Sequence, residues 1–101
     1  MDNDELEKEI KDKGLLAERV SLASIKTKIE KEYYHVPRGT TLTLCVLTLK
    51  NGFTVVGESA CASPENFDTE IGERLARDNA INKIWPLEGY LLRERLYYGR
   101  I

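Results

Sequence analysis

With 101 residues, the chain is long enough for one small hydrophobic core, and we expect a single domain that spans residues 1–101. Its 42% hydrophobic and 32% charged residues are ordinary for a soluble globular protein and argue against bulk disorder. A net charge of -2 argues against a general binder of nucleic-acid polymers, and no apolar run approaches the ~20 residues of a membrane span.

The N-terminal segment, residues 1–36, is predicted to form two helices. The first, residues 2–13, is highly charged, with Leu6 and Ile10 as its only apolar pair and Gly14 following as the C′ residue. Because two apolar side chains bury little area, we expect this helix to dock weakly or to pack on a neighbouring subunit.

The second predicted helix begins near Ser21 or Ser24, because either hydroxyl can cap a helix N-terminus. Its apolar residues recur at helical spacing: Ile25, Ile29 and Tyr33. We expect this helix to end before Pro37, since the residue that precedes a proline is driven out of the α region.

Residues 37–62 are predicted to form a β-hairpin, in which Asn51-Gly52 joins two β-rich runs. Asn-Gly is the strongest short hairpin signal, because both central residues of a type I′ turn need positive φ. In a tight two-residue loop, residues whose numbers sum to about 103 face each other, which places Cys45 opposite Glu58. Both faces of the first run, residues 42–49, are apolar, so we expect both to be covered by helices or by strands of another copy.

The two cysteines, Cys45 and Cys61, lie on the two arms of this hairpin but not opposite each other. A disulfide would need a different register, and two small buried thiols in a reducing compartment are the favoured interpretation. Met1 is followed by acidic residues instead of the basic start of a signal peptide. We therefore expect a soluble, intracellular protein.

The C-terminal part, residues 63–101, is predicted to be helical. Ser63 supplies an N-cap oxygen, Pro64 suits the first helical position, and the helix should run to about Trp85. Pro86 is expected to kink or break it, with a short final helix beyond. One predicted apolar stripe contains Phe67, Ile71, Leu75 and Trp85. A second line, of smaller residues, should allow close approach of another element: Ala76, Ala80 and Ile84.

Asp78 and Asn82 interrupt the apolar stripe one helical turn apart. Polar groups at such positions must find partners, because leaving one buried and unpaired costs roughly 1–3 kcal/mol. Either they pair with each other or with a backbone group of the hairpin, or they line a pocket and contact a ligand.

Three further segments carry groups that could grip an anion. In Arg38-Gly39-Thr40 a guanidinium, backbone N–H groups and a hydroxyl could converge on one phosphate, although the string also fits a plain turn. The helix start at residues 63–67 offers free N–H groups, which either attract an anion or are simply capped. A C-terminal set could stack on bases and grip phosphates, or form a solvated face or a subunit contact. Its members are Tyr90, Arg93, Arg95, Tyr97, Tyr98 and Arg100.

Catalytic and metal chemistry find little support in the sequence. His35 is the only histidine, the cysteines lack metal spacing, and no G-x-S-x-G or phosphate-binding-loop motif is present. Glu70 and Glu73 are each followed four residues later by an arginine, Arg74 and Arg77, which we interpret as surface ion pairs. We expect no enzymatic activity, no cofactor and no bound metal.

Residues 44–55, continuing through 57–68 to 83–90, resemble a family of small tailed-phage accessory proteins. The shared motifs include Leu-Lys-Asn-Gly-Phe, Ser-Pro-Glu-Asn-Phe-Asp and Lys-Ile-Trp-Pro-Leu-Glu-Gly-Tyr, and the resemblance covers roughly the last two thirds of the chain. The family includes the type-one Thoeris anti-defence proteins, which sequester the cyclic ADP-ribose isomers made by bacterial TIR-domain sensors. Some members also bind cyclic trinucleotides of the CBASS pathway, and they assemble as dimers and hexamers.

The resemblance implies a non-cleaving sponge for cyclic nucleotide second messengers in the cytoplasm of an infected bacterial host. It implies a trinucleotide-gripping turn at residues 38–40, an ADP-ribose pocket bordered by Phe53 and Asn66, and pyrophosphate contacts from Lys83 and the arginines. It also implies a homo-oligomer in which dimers build a hexamer, with no membrane and no nucleic-acid polymer as partner. Together with the candidates above, the predicted ligand-binding residues are Arg38, Gly39, Thr40, Phe53, Asn66, Phe67, Asp78, Asn82, Lys83 and Arg95.

The predicted fold is α+β: an antiparallel, hairpin-centred sheet packed with a long C-terminal helix and N-terminal helices, in an oligomer. One alternative function is a phage accessory protein that inhibits or recruits a host protein through surface contacts, carried by the hairpin edge and the charged N-terminal helix. Another is a structural or DNA-associated phage component, which the acidic balance disfavours.

Overall fold

The computed structural model describes residues 3–14 and 18–99, which form a three-stranded antiparallel sheet with a long helix across one face. The strands pair in the order β1-β2-β3. In chain order the elements are α1 (Asn3–Asp12), α2 (Leu22–Lys28), β1 (Ile29–His35), β2 (Leu42–Leu49), β3 (Thr54–Ala60), a 3₁₀ turn (Pro64–Asn66) and α3 (Thr69–Tyr98). The α+β prediction is confirmed, and so is the first helix, apart from Asp2, which lies outside the described residues.

The helical prediction for residues 29–36 is wrong, because Ile29–His35 forms the edge strand β1 and Val36 lies in the following turn region. Ser21 caps α2 as predicted, through a capping box with Ser24, but the helix ends at Lys28, where Ile29 turns to extended backbone. Tyr33 then pairs with Val46 of β2. Three apolar residues spaced by four fit a helix, and only Ile29, Tyr33 and Tyr34 of this segment favour a strand, so pairing with β2 decides for the strand.

The hairpin prediction is correct, but its turn and register are shifted by one residue. Paired numbers sum to 102, so that Cys45 faces Gly57. The loop has three residues, closed by the Gly52 N–H donating to the Leu49 carbonyl at 2.9 Å. Only Gly52 has positive φ in this loop, at 90°, which identifies a type I turn followed by a left-handed glycine instead of a type I′ turn.

Helix α3 is one continuous helix of 30 residues, so the predicted break at Pro86 is wrong. It also begins later than predicted: Ser63 makes no cap, and the Asp68 carboxylate accepts the Ile71 N–H at 3.0 Å. A proline removes one hydrogen bond, and the turns on both sides hold the rest. The helix is about 45 Å long against roughly 25 Å for β2, so its C-terminal part extends beyond the sheet.

The core lies between α3 and one face of the sheet, and the side of α3 that enters it is the line of small residues. Ile71 and Leu75 of the predicted apolar stripe are 48% and 50% exposed, so that stripe is not the buried face. The small residues of α3 form the buried face because the backbone of β3 approaches α3 closely at Gly57. The buried core residues are Leu22, Ile25, Cys45, Leu47, Leu49, Val55, Ala76, Ala80, Ile81 and Ile84.

Both faces were predicted to be covered by helices or by strands of another copy; no helix of the described residues covers the opposite face, and cover by another copy stays a prediction. We call this opposite face the open sheet face and define it by Tyr33, Leu44, Val46 and Val56, which share one side through their pairing. Tyr33 and Val56 are exposed, and Leu44 and Val46 are half-buried. Helices α2 and α3 both contact the other side, where the core lies.

Thr43 is the one buried side chain whose polar atom has no hydrogen-bond partner among the described residues. Its hydroxyl faces Gly72 in the tight contact between β2 and α3. Since valine has the same shape without the hydroxyl, we expect Thr43→Val to raise the free energy of unfolding by about 1 kcal/mol. Urea unfolding followed by circular dichroism measures this, and a clear loss of stability would show that the hydroxyl is hydrogen-bonded in solution.

Candidate functional site

The ten predicted ligand-binding residues do not form one site within a subunit. Residues 38–40 and 66–67 lie at one end of the sheet, and Phe53 lies at the other, separated from them by the length of β2, roughly 25 Å. The remaining four lie along α3: Asp78, Asn82, Lys83 and Arg95.

The turn before β2 leaves its arginine free. Thr40 is committed to the turn, since both its N–H and its hydroxyl donate to the Pro37 carbonyl, at 3.1 and 2.7 Å. Gly39 supplies the positive φ, 77°, that the turn needs. Arg38 is exposed, and its guanidinium makes no hydrogen bond or ion pair with another described residue, so it is available to an anion.

At the same end of the sheet, Asn66 and Phe67 line a small hollow of about 220 Å³ beside Gly72. The predicted anion-binding helix start is not present there, because α3 begins later, at Thr69, where the Asp68 carboxylate accepts the Ile71 N–H and places a negative charge at the helix N-terminus. This end therefore offers an aromatic ring and an amide, and its cation is Arg38.

Asp78 and Asn82 do not pair with each other or with the hairpin backbone. Asn82 is exposed, and its Oδ1 accepts a hydrogen bond from Asn3 Nδ2 at 3.3 Å. The neighbouring residues make the hairpin contact instead: Asn79 Oδ1 accepts the Glu58 N–H at 3.0 Å, and Lys83 Nζ donates to the Val56 carbonyl at 2.6 Å. Two side chains of α3 thus cap the outer edge of β3, which limits the predicted ligand contact of Lys83.

The C-terminal arginines lie on the part of α3 that extends beyond the sheet. Arg95 makes an ion pair with Glu18 at 3.2 Å, and because both side chains are well exposed the pair contributes little stability. Arg93 is exposed and contacts no other described residue, and Arg100 lies outside the described residues. Arg95 can therefore exchange its partner for an anion at small cost.

An apolar groove of about 340 Å³ lies between the hairpin loop and the part of α3 that follows Pro86. We call it the Phe53 groove, because the Phe53 ring forms one side and Tyr90 the other, with 53% and 66% of these residues exposed. Its further lining residues are Leu49, Asn51, Ile84, Pro86, Leu87, Glu88 and Leu91. Sequence patterns indicated both aromatic residues but did not bring them together, since the predicted break at Pro86 separated them.

A larger hollow, of about 620 Å³, lies between α1, α2 and α3. We call it the arginine hollow and define it by its charged residues: Asp4, Lys26, Arg74, Arg77 and Asp78. Sequence analysis missed it because these residues come from three elements and the arginines were interpreted as partners of Glu70 and Glu73. No such ion pair forms among the described residues, and Arg77 Nε instead contacts Glu32 Oε1 at 3.1 Å.

One protein-family model matches most of this chain. A family model described as "Phage protein (N4 Gp49/phage Sf6 gene 66) family" matches residues 20–96. The chain belongs to this phage protein family. The match includes α2, the whole sheet and α3 up to Leu96, and it leaves α1 out. The predicted phage origin is confirmed, and no curated protein and no solved structure matches the chain.

Two ionisable residues near the core of this phage protein, Glu32 and Cys45, have structural roles. Burial opposes ionisation of Glu32, but hydrogen bonds from the Tyr34 hydroxyl and from Arg77 lower the pKa of its carboxyl overall. Burial raises the pKa of the Cys45 thiol, which keeps it protonated and unreactive. None of the helices formed by the described residues combines the length and the apolarity needed to cross a bilayer.

Proposed function

We propose that this phage protein is an anti-defence sponge, which binds cyclic ADP-ribose isomers and holds them without cleavage, and which binds cyclic trinucleotides at the turn around Arg38. Membership of a phage protein family and the motif resemblance support the biological setting. The observation that carries the proposal is the Phe53 groove, which faces two aromatic rings toward a space of about 340 Å³. That volume lies within the range of small-molecule pockets.

The groove offers aromatic faces for the adenine base of such a ligand, but it has no cations for the phosphates. Phe53 and Tyr90 offer faces on which a base can stack, and Leu87 and Leu91 form an apolar floor. Among the described residues that line it, Glu88 alone carries a charge, and that charge is negative. A ligand with two phosphates therefore needs cations from another source, and a second copy of the chain is the source we propose.

The C-terminal part of α3 carries the surface on which a second copy would pack. Five large exposed residues recur there at helical spacing, and we call them the α3 stripe: Leu87, Tyr90, Leu91, Tyr97 and Tyr98. No described residue covers the stripe, and three of its members also line the Phe53 groove. Two stripes crossing antiparallel near residue 92 would bring Arg95 of the second copy beside Tyr90, where it can contact a pyrophosphate.

The residues that line the Phe53 groove suit a protein that binds its ligand without converting it. A sponge needs affinity and no reaction, and affinity comes from rigid aromatic faces and placed cations. The described residues that line the groove include no histidine, cysteine or serine that could act as a nucleophile. The one charged residue among them, Glu88, belongs to α3. We therefore propose a binding protein and not an enzyme.

Calorimetry on the full chain tests the proposal, with cyclic ADP-ribose isomers and cyclic trinucleotides as separate ligands. Phe53→Ala should weaken binding of the ADP-ribose isomers by roughly 10- to 100-fold, the loss expected for one stacked base, and should leave trinucleotide binding unchanged. Arg38→Ala should do the reverse. Tyr33→Ala, which removes an equally exposed ring from the open sheet face, is the matched control and should change neither affinity.

Ligand fate and assembly complete the test. Ligand released by heating the complex should elute unchanged on chromatography, and a converted ligand would overturn the non-cleaving role. Leu91→Lys places a charge in the middle of the α3 stripe, so light scattering should show a smaller particle and calorimetry should show lost binding of ADP-ribose isomers. Wild-type binding by a verified single subunit would refute the shared site.

A protein-binding accessory factor is the second candidate, and the open sheet face favours it. Its contiguous apolar side chains, rimmed by charged residues of β1, resemble a protein-docking surface more than a nucleotide site. If a verified oligomer binds neither class of cyclic nucleotide, this candidate becomes the better explanation.

A further inference from the structure

The arginine hollow gathers cations that the proposed sponge does not use. Lys26 comes from α2, and Arg74 and Arg77 come from successive turns of α3. We propose that this hollow is a second ligand site, which binds a ribonucleoside diphosphate within each single subunit.

The three cations retain donors for a pyrophosphate group. Arg74 is exposed, and its guanidinium makes no hydrogen bond or ion pair with another described residue. Arg77 uses Nε to contact Glu32, which leaves the N–H groups at the end of its guanidinium. Lys26 Nζ lies 4.0 Å from Asp4, a long contact between two exposed side chains that a phosphate can displace. Arginine forks match phosphate oxygens in pairs, which makes this set suited to two linked phosphates.

Asp78 adds to the hollow a group that can recognise a ribose. It lies one helical turn after Arg74, lines the same hollow, and has no hydrogen-bond partner among the described residues. A bare carboxylate repels phosphate, but it accepts hydrogen bonds from the paired hydroxyls of a ribose, as acidic residues do in dinucleotide sites. Cations beside the Asp78 carboxylate therefore favour a phosphorylated ribonucleoside over inorganic phosphate.

The remaining surface of the hollow suits a base. Leu75, which is half exposed, offers apolar surface, and the two other apolar lining residues, Leu22 and Ile81, belong to the buried core. The volume of about 620 Å³ is ample for a nucleotide. Helix α1 supplies the outer wall through Asn3 and Asp4, so a bound nucleotide would lie between α1 and α3.

The fluorescence of a tryptophan beside this site can show whether a ligand is bound. Asn3 lines the hollow, and its Oδ1 accepts a hydrogen bond from the indole of Trp85 at 3.1 Å. Trp85 is the sole tryptophan of the sequence. Its emission should therefore change when a ligand moves the α1 wall.

The test is a titration of the full chain with ADP, inorganic pyrophosphate and adenosine, followed by Trp85 fluorescence and calorimetry. ADP should bind one per chain, more tightly than pyrophosphate, and adenosine should bind weakly. Arg74→Gln should weaken both ADP and pyrophosphate at least about 10-fold, the loss of one charge-assisted contact. Arg93→Gln removes an arginine from an exposed site on the same helix, away from the hollow, and should change neither.

Asp78→Asn separates the ribose contact from the phosphate contact. It should weaken ADP by roughly 5- to 10-fold and leave pyrophosphate as tight or tighter, because it removes a negative charge. Equal losses in Arg74→Gln and Arg93→Gln, or pyrophosphate binding as tight as ADP in the native chain, would overturn the site. Since the hollow lies within one subunit, ADP binding should persist in Leu91→Lys, so failure of the proposed sponge and failure of this site give different results.

Discussion

Replacing Gly57 by alanine should lower the free energy of unfolding by about 3 kcal/mol or more. A Cβ atom at this position would lie 2.1 Å from the Ala76 carbonyl oxygen and 2.3 Å from the Ala80 backbone nitrogen. Both are backbone atoms of α3 and cannot rotate away, so the helix must move off the sheet. Urea unfolding by circular dichroism measures the loss, which should appear as a lower midpoint.

Gly89 provides the matched control, because a Cβ there meets nothing within 4 Å. It lies inside α3, so Gly89→Ala should stabilise the protein by about 0.5–1 kcal/mol through helix propensity. If the two substitutions had the same effect, the close contact of β3 with α3 would be contradicted, and the core described above with it.

Acid should loosen the docking of α1, because the Glu7 carboxylate makes three hydrogen bonds to the residues that precede and begin α2. Glu7 accepts two hydrogen bonds from Arg19, at 2.9 and 3.1 Å, and a third from the Leu22 N–H at 3.1 Å. The hydrogen bond from Arg19 and that from Leu22 lower the pKa of Glu7 from 4.5 to about 2. Because the pKa is lower in the folded state, the stabilisation is complete above about pH 4.5 and is lost as the pH falls toward 2.

The Glu7 contact should contribute about 2 kcal/mol once solvent screening is allowed for, since its side chain is 13% exposed. Glu7→Gln should show this loss at neutral pH and should flatten the pH dependence of unfolding between pH 2 and 4.5. Glu9→Gln is the control, because the Glu9–Lys13 pair is exposed on the same helix and its loss should change stability by at most about 0.5 kcal/mol. Equal effects of the two substitutions would contradict the described docking of α1.

Most elements of the fold were predictable from local signals. The hairpin follows from alternating apolar residues around Asn51-Gly52, and α1 ends where Gly14 adopts positive φ, 70°, as a C′ glycine does. The errors lie where two local signals compete. Residues 29–35 combine helical spacing with two adjacent tyrosines that suit a strand, and Pro64 resembles a helix start four residues before the Asp68 cap that is used.

The candidate sites were less predictable, because each joins residues far apart in the chain. The Phe53 groove needs a continuous helix past Pro86, and the arginine hollow needs α1 and α2 folded against α3. Spacing of four between glutamate and arginine predicted ion pairs within α3, whereas Arg77 found Glu32 of β1. A side chain takes the partner that is nearest in the packed structure, and sequence spacing reports only neighbours along one helix.

By itself, the sequence determined the phage family, the α+β class, the first helix and the hairpin, because turn glycines, caps and apolar alternation act over a few residues. Tertiary structure decided which face of α3 is buried, whether residues 29–35 form a strand, and which charged residues meet in a hollow. These outcomes depend on close packing between elements, above all on β3 fitting against Ala76 and Ala80: the small residues of α3 predicted a close approach, but only the folded chain determines that β3 makes it.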